Sequence, residues 1–457
     1  MIHHRDHALI GVSVLEGTGA DPVHGAVVLL AEGRIAEILP HEDYAPRCGV
    51  TEHELSGMWV LPGLIDAHIH LAGGRAGVDD QELGVVAEPP TIRAMRSVAD
   101  AQAMLRRGFT AVRDISWNGL YLKRLFVEQR IPGPKVVAAG PGLTRTGGHA
   151  DLHQFTDAYV ASHGVFGVVA DGPDEMVKTV RRLLREGADA IKIFVSGGDN
   201  WPHDRNTDVQ YSIEELRAAI NEAHRQTGTV VLCHAENATA IRMAIEAGAD
   251  SIEHGEDLDD ALVALMAERG TILVPTLNLV TNWYRDVMPL NDAARPQHRP
   301  DAFLYRDHYT PTSSDDAAQA SRAAIASFRR ALAGGVRIAL GSDTIYEPLT
   351  RYGDYSAREF ATLIEHGMTP HQAIVAATST AAAALGMDHV IGTVEPGKQA
   401  DLLVVRRDPR TTADALTDPA NIHLTFCDGA LTVRLTPNSG QVVGWSGCQR
   451  ELAAFVL

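Results

Sequence analysis

The chain has 457 residues, of which 45% are hydrophobic and 21% are charged. This length and composition predict a globular protein with one large domain and a smaller module. The formal net charge of −18 argues against a nucleic-acid partner or an anionic-membrane partner, because both require a basic surface.

The cysteines and the N-terminus indicate a reducing compartment. The four cysteines show no CxxC pair, so neither a disulfide framework nor a thiolate zinc site is predicted. The opening segment MIHHRDHALIGVSVLEG lacks the layout of a signal peptide. No stretch approaches the roughly 18 apolar residues of a membrane-spanning helix. We therefore expect a cytoplasmic enzyme or binding protein.

Both ends of the chain have the pattern of β-strands. Residues 8 to 60 contain ALIGVSVLEG, GAVVLLAEG and RIAEILP, which alternate with Gly-containing turns. After residue 385 the strand-like segments IGTVEPGKQADLLVVRRDP and IHLTFCDGALTVRL follow. We expect residues 1–60 and 386–457 to combine in one small β-sandwich domain.

Residues 61–385 have a different pattern, in which short apolar segments alternate with longer amphipathic ones. This pattern is typical of βαβ units in the α/β class. Eight candidate strands predict a closed (β/α)8 TIM-like barrel, whereas a Rossmann fold is disfavoured because no GxGxxG follows the first strand. The candidate strands are WVLPGLIDAHIH, TAVRDI, KVVAAG, AIKIFVSG, VVLCHAE, DSIEHG, TILVPTL and RIALGSD.

The connection between TILVPTL and RIALGSD is about twice as long as the others. A long insertion after a barrel strand lies at the catalytic face, so its first part is expected to form a lid or a wall of the substrate pocket. The alternative is a surface excursion without a function.

The polar residues at the ends of the candidate strands indicate the site, because barrel enzymes carry their active sites there. His68 and His70 end the first strand, and their side chains point to the same side because they are two residues apart. Lys192 lies within the apolar segment AIKIF. A lysine in such a place is costly unless it is neutralised, paired with a carboxylate or chemically changed.

Three further strands end in residues of the metal-ligand type, namely His234, His254 and Asp343. A single histidine at a strand end is usually structural. The joint set, with the HxH pair and the lysine, is much harder to explain as core packing. Imidazoles and carboxylates suit borderline divalent metals such as zinc.

These motifs resemble those of the amidohydrolase superfamily over nearly the whole chain. The resemblance rests on GLIDAHIHL, ADAIKIF, LCHAEN, SIEHG, GSDT, MTPHQAIVAATSTAAAALG and IGTVEPGKQADLLVV. It implies two divalent ions, most simply zinc with manganese, cobalt or iron as options, bridged by a carboxylated Lys192. The implied first ion is held by His68, His70, Lys192 and Asp343, and the second by Lys192, His234 and His254.

The resemblance also implies the reaction. A hydroxide that bridges the two ions attacks an electrophilic centre, and Asp343 acts as general base and acid. Lys192 argues against the branch with a single ion, which includes imidazolonepropionases and many deaminases. The chain is most similar in its motifs to prolidase-like amide hydrolases and to phenylurea and molinate hydrolases, which implies cleavage of an amide, peptide, carbamate or urea.

A GGH element after the third strand is a feature of the prolidase-like branch, and here it contains His149. The resemblance implies that His149 hydrogen-bonds the scissile carbonyl oxygen or the developing oxyanion; the alternative is a loop histidine with a structural partner. Arg145 and His153 are weaker candidates from the same loop.

Glu236 departs from the pattern of several prolidase-like relatives, which carry an aromatic residue or a histidine at this position. If Glu236 faces the pocket, its charge would repel a substrate carboxylate and favour a neutral amide, carbamate or urea. If it lies behind the ligands, nothing follows for the substrate.

Aromatic residues are grouped near the expected mouth of the barrel, although they make up only 5% of the chain. They are candidates for a pocket that binds an aromatic or apolar substrate; the alternative is packing of the lid. The group is Trp201, His203 and Tyr211 after strand four, and Trp283 and Tyr284 after strand seven.

Three other functions stay open at this stage. The same centre would suit a prolidase-like dipeptidase or N-acyl amino acid hydrolase, and also a lactonase, esterase or phosphotriesterase. A metal-free scaffold protein is disfavoured because all six ligand positions are kept. The resemblance implies a homo-oligomer with a small-molecule substrate, and the C-terminal tail with Trp445 is a candidate for the subunit contact.

Overall fold

The structure is a computed structural model, and it describes residues 5–74, 88–128, 131–153, 155–198, 204–282, 314–345, 351–436 and 439–441. The strands in chain order are β1 (Asp6–Val14), β2 (Val23–Ala31), β3 (Arg34–Pro40), β4 (Val50–Glu54), β5 (Trp59–Pro62), β6 (Leu64–Ile69), β7 (Phe109–Asp114), β8 (Lys135–Ala138), β9 (Gly142–Thr144), β10 (Gly167–Val169), β11 (Ala190–Phe194), β12 (Val230–Ala235), β13 (Ser251–His254), β14 (Ile272–Val274), β15 (Leu402–Val405), β16 (Ile422–Cys427), β17 (Ala430–Thr436) and β18 (Ser439–Gln441).

The helices follow the strands in the alternation that the sequence predicts. They are α1 (Pro90–Arg106), α2 (Trp117–Val127), α3 (Asp157–His163), α4 (Pro173–Glu186), α5 (Ile213–His224), α6 (Ala238–Ala247), α7 (Asp260–Arg269), α8 (Leu277–Asn282), α9 (Ser314–Ala333), α10 (Asp354–Glu365), α11 (Pro370–Ala376), α12 (Ser379–Ala384) and α13 (Asp414–Thr417).

A nine-stranded sheet contains strands from both ends of the chain, in the order β18-β17-β16-β15-β5-β1-β2-β3, with β4 paired to β1. β5 joins the two halves, since it pairs parallel with β1 and antiparallel with β15. Apolar side chains from both halves, including Leu9, Val28, Val60, Val404 and Phe426, form one cluster. The predicted β-domain built from both chain ends is confirmed, and hydrogen bonds join its described strands in a single sheet.

Gly63 marks the passage from this β-domain into the barrel, between β5 and β6. A Cβ atom at this position would lie 2.1 Å from Oγ1 of Thr110, far inside van der Waals contact. Only glycine lets the chain pass β7 this closely.

The barrel consists of parallel strands that follow one another in space as they do in sequence. β6, β7 and β8 pair in that order, and β11, β12, β13 and β14 pair in a second run. The backbone N–H of Asp189 donates to the carbonyl of Ala138 at 2.8 Å, and β9 pairs with β11. These contacts connect the two runs.

Residues 337–344 take the eighth position and close the barrel. On one side, the N–H of Leu273 in β14 donates to the carbonyl of Arg337 at 2.9 Å. On the other, the N–H of Ala67 in β6 donates to the carbonyl of Leu340 at 2.8 Å. The predicted (β/α)8 barrel of the α/β class is confirmed.

The helix pattern in the sequence has a direct structural counterpart. α4 buries Met176, Val180 and Leu183, which are spaced four and three residues apart on one helix face. The helix ends at Gly187, whose φ of 101° is in the left-handed region that favours glycine. Such faces pack against the strands in one continuous core.

Several sequence predictions lie outside the described residues. These are the first part of the predicted lid at 283–313 and the C-terminal tail with Trp445. The domain boundaries at 60/61 and 385/386 stay predictions; β5 ends at Pro62 and β15 begins at Leu402. Cys48, Cys233 and Cys427 are free thiols. In the part of the chain that the structure describes, no helix is both long and apolar enough to cross a membrane.

Candidate metal centre

The six predicted ligand residues lie along or at the ends of barrel strands, and none is more than 7% exposed. They come from β6 and the residue after it, from β11, β12 and β13, and from the eighth strand position. The residues are His68, His70, Lys192, His234, His254 and Asp343.

The first cluster, as we call it, contains His68, His70 and Asp343. Oδ1 of Asp343 lies 2.9 Å from Nε2 of His70 and 3.5 Å from Nε2 of His68. One ligand atom from each residue falls within 4.8 Å of the others. This spacing fits three ligands of one ion.

The second cluster contains His234, His254 and Glu236, whose ligand atoms also lie within 4.8 Å of one another. Oε1 of Glu236 is 3.5 Å from Nε2 of His234. The ring of His254 connects the clusters, since its centroid lies 4.6 Å from that of His234 and 5.3 Å from that of His68. Glu236 therefore stands beside the ligands rather than away from them.

Each of the four histidines predicted as ligands has one ring nitrogen within hydrogen-bond distance of a group outside the predicted ligand set, and Nε2 of His70 also lies 2.9 Å from Oδ1 of the predicted ligand Asp343. Such partners fix the tautomer and the orientation of a ligand imidazole. Nδ1 of His68 lies 2.6 Å from Oε2 of Glu253, Nδ1 of His70 lies 2.9 Å from the Ile115 carbonyl, Nδ1 of His254 lies 2.7 Å from Oγ1 of Thr276, and Nε2 of His234 lies 3.0 Å from the Gly197 carbonyl.

Burial sets the protonation of these side chains. It lowers the pKa of His68 to about 4, and the charge of Lys192 acts in the same direction. Burial also lowers the pKa values of His234 and His254 well below the usual range. The three rings are therefore neutral near pH 7, the form that binds metal.

Asp343 is ionised in the same environment. Burial disfavours its charge, but the interaction with His68 and the hydrogen bond from His70 hold the pKa of Asp343 well below its usual value. Its position is fixed through β6: the buried carboxylate of Asp66 accepts hydrogen bonds from the backbone N–H and the hydroxyl of Ser342, at 3.0 and 2.6 Å.

Lys192 is 1% exposed within β11. Among the described residues, no carboxylate lies within 4.0 Å of its Nζ, which is 5.3 Å from the centre of the Phe194 ring. Burial lowers the pKa of Lys192 to about 8. An amine without an ion-pair partner in the interior fits a lysine that is neutral or chemically modified.

The backbone at two of the predicted ligands is strained. His254 has a φ of 72° and Asp343 a φ of 53°, in the left-handed region that residues with a Cβ rarely adopt. Such conformations cost of order 1–3 kcal/mol each and cluster at functional sites. In both cases the strained residue directs its side chain toward the shared centre.

His149 lies against the second cluster without belonging to it. Its ring stacks on that of His234, with centroids 4.5 Å apart and an angle of 15°, and it meets Phe194 edge to face. Nδ1 of His149 is 2.7 Å from Oδ2 of Asp204. His149 therefore lies beside the second cluster, and its role at the oxyanion stays a prediction.

The weaker candidates of this loop are bound within it. Arg145 donates to the carbonyl of Thr146 at 3.1 Å, and Nε2 of His153 lies 3.1 Å from the carbonyl of Gly148. Tyr211 is 3% exposed, and its hydroxyl donates to the carbonyl of Ala170. This position supports the packing alternative for Tyr211. The predictions for Trp201, His203, Trp283 and Tyr284 fall outside the described residues.

Three charged residues at the centre were not identified from the sequence. Arg113 is fully buried and donates to Glu253 at 2.8 Å and to the carbonyl of Ala67 at 2.6 Å. Glu253 supports His68, and Asp204 supports His149. A charged residue within an apolar strand was a usable indication for Arg113 in TAVRDI and for Glu253 in SIEHG. Asp204 lies in a loop, where an aspartate carries no comparable indication.

Comparison with known proteins places this arrangement in a family. Ochratoxinase of Aspergillus niger is 27% identical over 433 residues, which cover 92% of this chain and 85% of that protein. An amidohydrolase of known crystal structure has 31% sequence identity to this chain and superimposes with a TM-score of 0.81. The match covers 94% of this chain and 99% of that protein. A prolidase complexed with N-methylphosphonate-L-proline is 28% identical with a TM-score of 0.80, covering 94% and 100%.

The family comparison covers most of the chain and includes all of the ligand positions described above. The sequence model of the amidohydrolase family matches residues 59–432. The chain therefore belongs to the amidohydrolase family.

Proposed function

We propose that this protein is a metal-dependent hydrolase that cleaves a C–N bond in a small-molecule amide, peptide, carbamate or urea. The observation that carries the proposal is the orientation of four buried histidines around one centre. Each has one ring nitrogen held by a group outside the predicted ligand set, and its other nitrogen would bind an ion. Histidines that serve only packing or structural hydrogen bonds are not expected to surround a common centre in this way.

The donor set fits two divalent ions. The first cluster would hold one ion, and His234 and His254 would hold the other. Lys192 would bridge them as a carbamate, formed when its neutral amine adds carbon dioxide. The pKa of about 8 that burial gives Lys192 supplies neutral amine near neutral pH. Imidazole and carboxylate ligands make zinc our first choice of ion.

The ions, when bound, would supply an activated water and polarise the substrate carbonyl. Asp343 is the ionised carboxylate at the centre, so it would accept the proton of that water and pass it to the leaving nitrogen. His149, at the edge of the second cluster, would hydrogen-bond the carbonyl oxygen as negative charge develops there.

Glu236 bears on the substrate class. Its carboxylate stands with His234 and His254, so a carboxylate group on the substrate would meet a like charge here. This favours a neutral amide, carbamate or urea. The similarity to a prolidase favours a dipeptide or an N-acyl amino acid as the second candidate, and the two classes are separable by their KM values.

The first test is metal content per subunit for protein produced with added zinc or manganese and bicarbonate. We expect two ions per chain. Neutral anilides, ureas and carbamates should then be assayed beside dipeptides, esters and lactones. Preferred turnover of esters or lactones would reject C–N cleavage as the main activity, and protein that binds no ion and turns over none of these compounds would reject the hydrolase proposal.

Lys192→Ala tests the bridge. We expect this variant to lose the second ion and at least about 10²-fold in activity, since removal of groups that act as a unit abolishes most of the catalysis. Lys178→Ala, on the exposed face of α4, is the matched control and should keep both. Unchanged metal content and turnover in Lys192→Ala would contradict a bridging lysine.

A further inference from the structure

Glu359 is a buried carboxyl group on α10 that the proposed function does not use. It is 0% exposed, and within the described part of the chain no arginine, lysine or histidine forms an ion pair with it. Burial raises the pKa of Glu359 to about 8, and the carboxylates of Asp66 and Asp343 act in the same direction. An acidic residue in such a place is costly, so its contacts should explain why it is there.

The two carboxyl oxygens of Glu359 bind two successive backbone N–H groups at the start of α8. Oε1 accepts from the N–H of Leu277 at 2.9 Å, and Oε2 accepts from the N–H of Asn278 at 2.6 Å. Both groups belong to the first turn of α8, where the helix itself offers them no acceptor. Glu359 therefore ties this backbone to α10 by two hydrogen bonds.

Thr276, the residue before α8, has a backbone conformation that requires such support. Its φ of 44° is in the left-handed region, where a β-branched residue is an outlier. Conformations of this kind persist only where the surrounding structure holds them. On one side of Thr276, β14 ends at Val274, which pairs with Glu253 of β13. On the other side, the two bonds to Glu359 hold the backbone.

The side chain of Thr276 connects this segment with the candidate metal centre. Its Oγ1 lies 2.7 Å from Nδ1 of His254, the ring that lies between the two clusters. A partner at this distance fixes the orientation of an imidazole. The contacts therefore run from Glu359 through the backbone at residues 277 and 278 to Thr276, and from there to His254.

We propose that Glu359 is a positioning residue of the metal centre, which holds the segment 276–278 so that Thr276 keeps His254 oriented toward an ion. Glu359 contacts neither the ion nor the substrate in this role, and no proton moves. Its effect should therefore be confined to the ion that His254 binds. The role rests on the proposed function, since that function assigns His254 to an ion.

The first test compares zinc binding by Glu359→Gln and Glu365→Gln at a pH above the pKa of Glu359. Glu365 is exposed on the same helix, so its variant controls for the loss of a carboxyl group. In Glu359→Gln the NH2 group must face one of the two N–H donors. We expect competition with a chromophoric chelator to show one ion bound about tenfold more weakly and the other ion unchanged.

Glu365→Gln should bind both ions as the wild type does. Equal weakening of both ions in Glu359→Gln, or weakening of neither, would overturn the proposal. A general structural defect would affect the two ions alike, so the difference between them is the result that identifies positioning.

A double-mutant cycle tests whether Glu359 acts through Thr276. Thr276→Val removes the hydroxyl group and keeps the branched shape, so it should weaken the same ion. Adding Glu359→Gln to Thr276→Val should weaken that ion no further. Additive losses would overturn the proposal, because they would show that Glu359 affects the ion by another route.

Amide hydrogen exchange of the metal-free protein tests the two hydrogen bonds independently of the proposed function. The N–H groups of Leu277 and Asn278 should exchange at least about tenfold faster in Glu359→Gln than in the wild type, whereas the amides of β13 should be unchanged. Unchanged exchange at both residues would overturn the role of Glu359. Wild-type protein that binds no zinc would reject the proposed function and the link to an ion, while faster exchange would still show that Glu359 holds the segment.

Discussion

We expect Glu253→Gln to lower both the stability of the protein and its affinity for metal. Oε1 of Glu253 accepts from Arg113 at 2.8 Å and from the hydroxyl of Ser251 at 2.5 Å, and Oε2 lies 2.6 Å from Nδ1 of His68. Burial alone would raise the pKa of Glu253, but the Arg113 guanidinium and the hydrogen bond from His68 hold it below its usual range. Arg113 and Glu253 are both fully buried.

The amide of the variant would remove the charge and turn one acceptor into a donor. Its NH2 group must face either Arg113 or Nδ1 of His68, and both of these donate. Breaking a buried ion pair by removing one partner costs about 3–5 kcal/mol. With an unfolding entropy of about 2.1 cal/mol/K per residue, this lowers the melting temperature of a chain of this length by about 3–5 °C.

Metal binding should weaken at the same time, because His68 loses the partner that orients it. Removing such an outer partner costs about 10–100-fold in metal affinity. Competition with a chromophoric zinc chelator would measure the affinity, and calorimetry of the metal-free protein would measure the melting temperature. The Arg113→Met/Glu253→Gln double variant should lose less stability than the two single variants together.

The reasoning would be refuted by a Glu253→Gln protein with the wild-type melting temperature and zinc affinity. The matched control is Glu246→Gln, at an exposed position on α6, and it should change neither quantity. A lower melting temperature with unchanged zinc affinity would refute the role of Glu253 in orienting His68. Such a result would support only the contribution of the Arg113–Glu253 ion pair to stability.

Three further predictions follow from individual contacts. Gly198→Ala should displace the ring of His149, because the new Cβ would lie 2.3 Å from its Cε1 atom. We expect kcat to fall about 10²-fold at constant metal content. An unchanged kcat would show that the position of the ring does not matter for the reaction. Glu236→Gln should lower KM for dipeptides about tenfold, the factor for ~1.4 kcal/mol of relieved repulsion, and leave KM for neutral ureas unchanged; equal effects on both would contradict a charge-based selection. Burial lowers the pKa of His53 to about 4, with the charge of His7 as the next cause. The unfolded chain therefore binds more protons between pH 6.5 and 4, and stability should fall as the pH drops through this window; His53→Gln should flatten this dependence of the melting temperature.

The sequence was sufficient for the parts of the site that follow from local pattern. His68 and His70 end an apolar strand two residues apart, and Asp343 follows an apolar segment, so strand position alone predicted their common location. Lys192 was identified because a cation in a buried strand needs an explanation. The same reasoning applies to Arg113, which the structure places fully inside the barrel.

The supporting residues could not be predicted, because their roles depend on distances between remote parts of the chain. Glu253 meets His68 across 185 positions of sequence, and Asp204 meets His149 across 55. Neither pair has a spacing that periodicity could indicate. Tyr211 shows the opposite case: its position after strand four suggested a pocket, whereas its hydroxyl bonds to the core at Ala170.

The way β5 joins both halves of the β-domain has a consequence for synthesis of the chain. β5 pairs with β1 early, but its other edge pairs with β15, which leaves the ribosome only after the whole barrel. At about 5–20 residues per second, on the order of tens of seconds separate the two strands. During that time the β5 edge presents unpaired backbone groups to other nascent chains. We therefore expect the protein to depend most on chaperones while the barrel is being synthesised, before β15 emerges to cover the β5 edge.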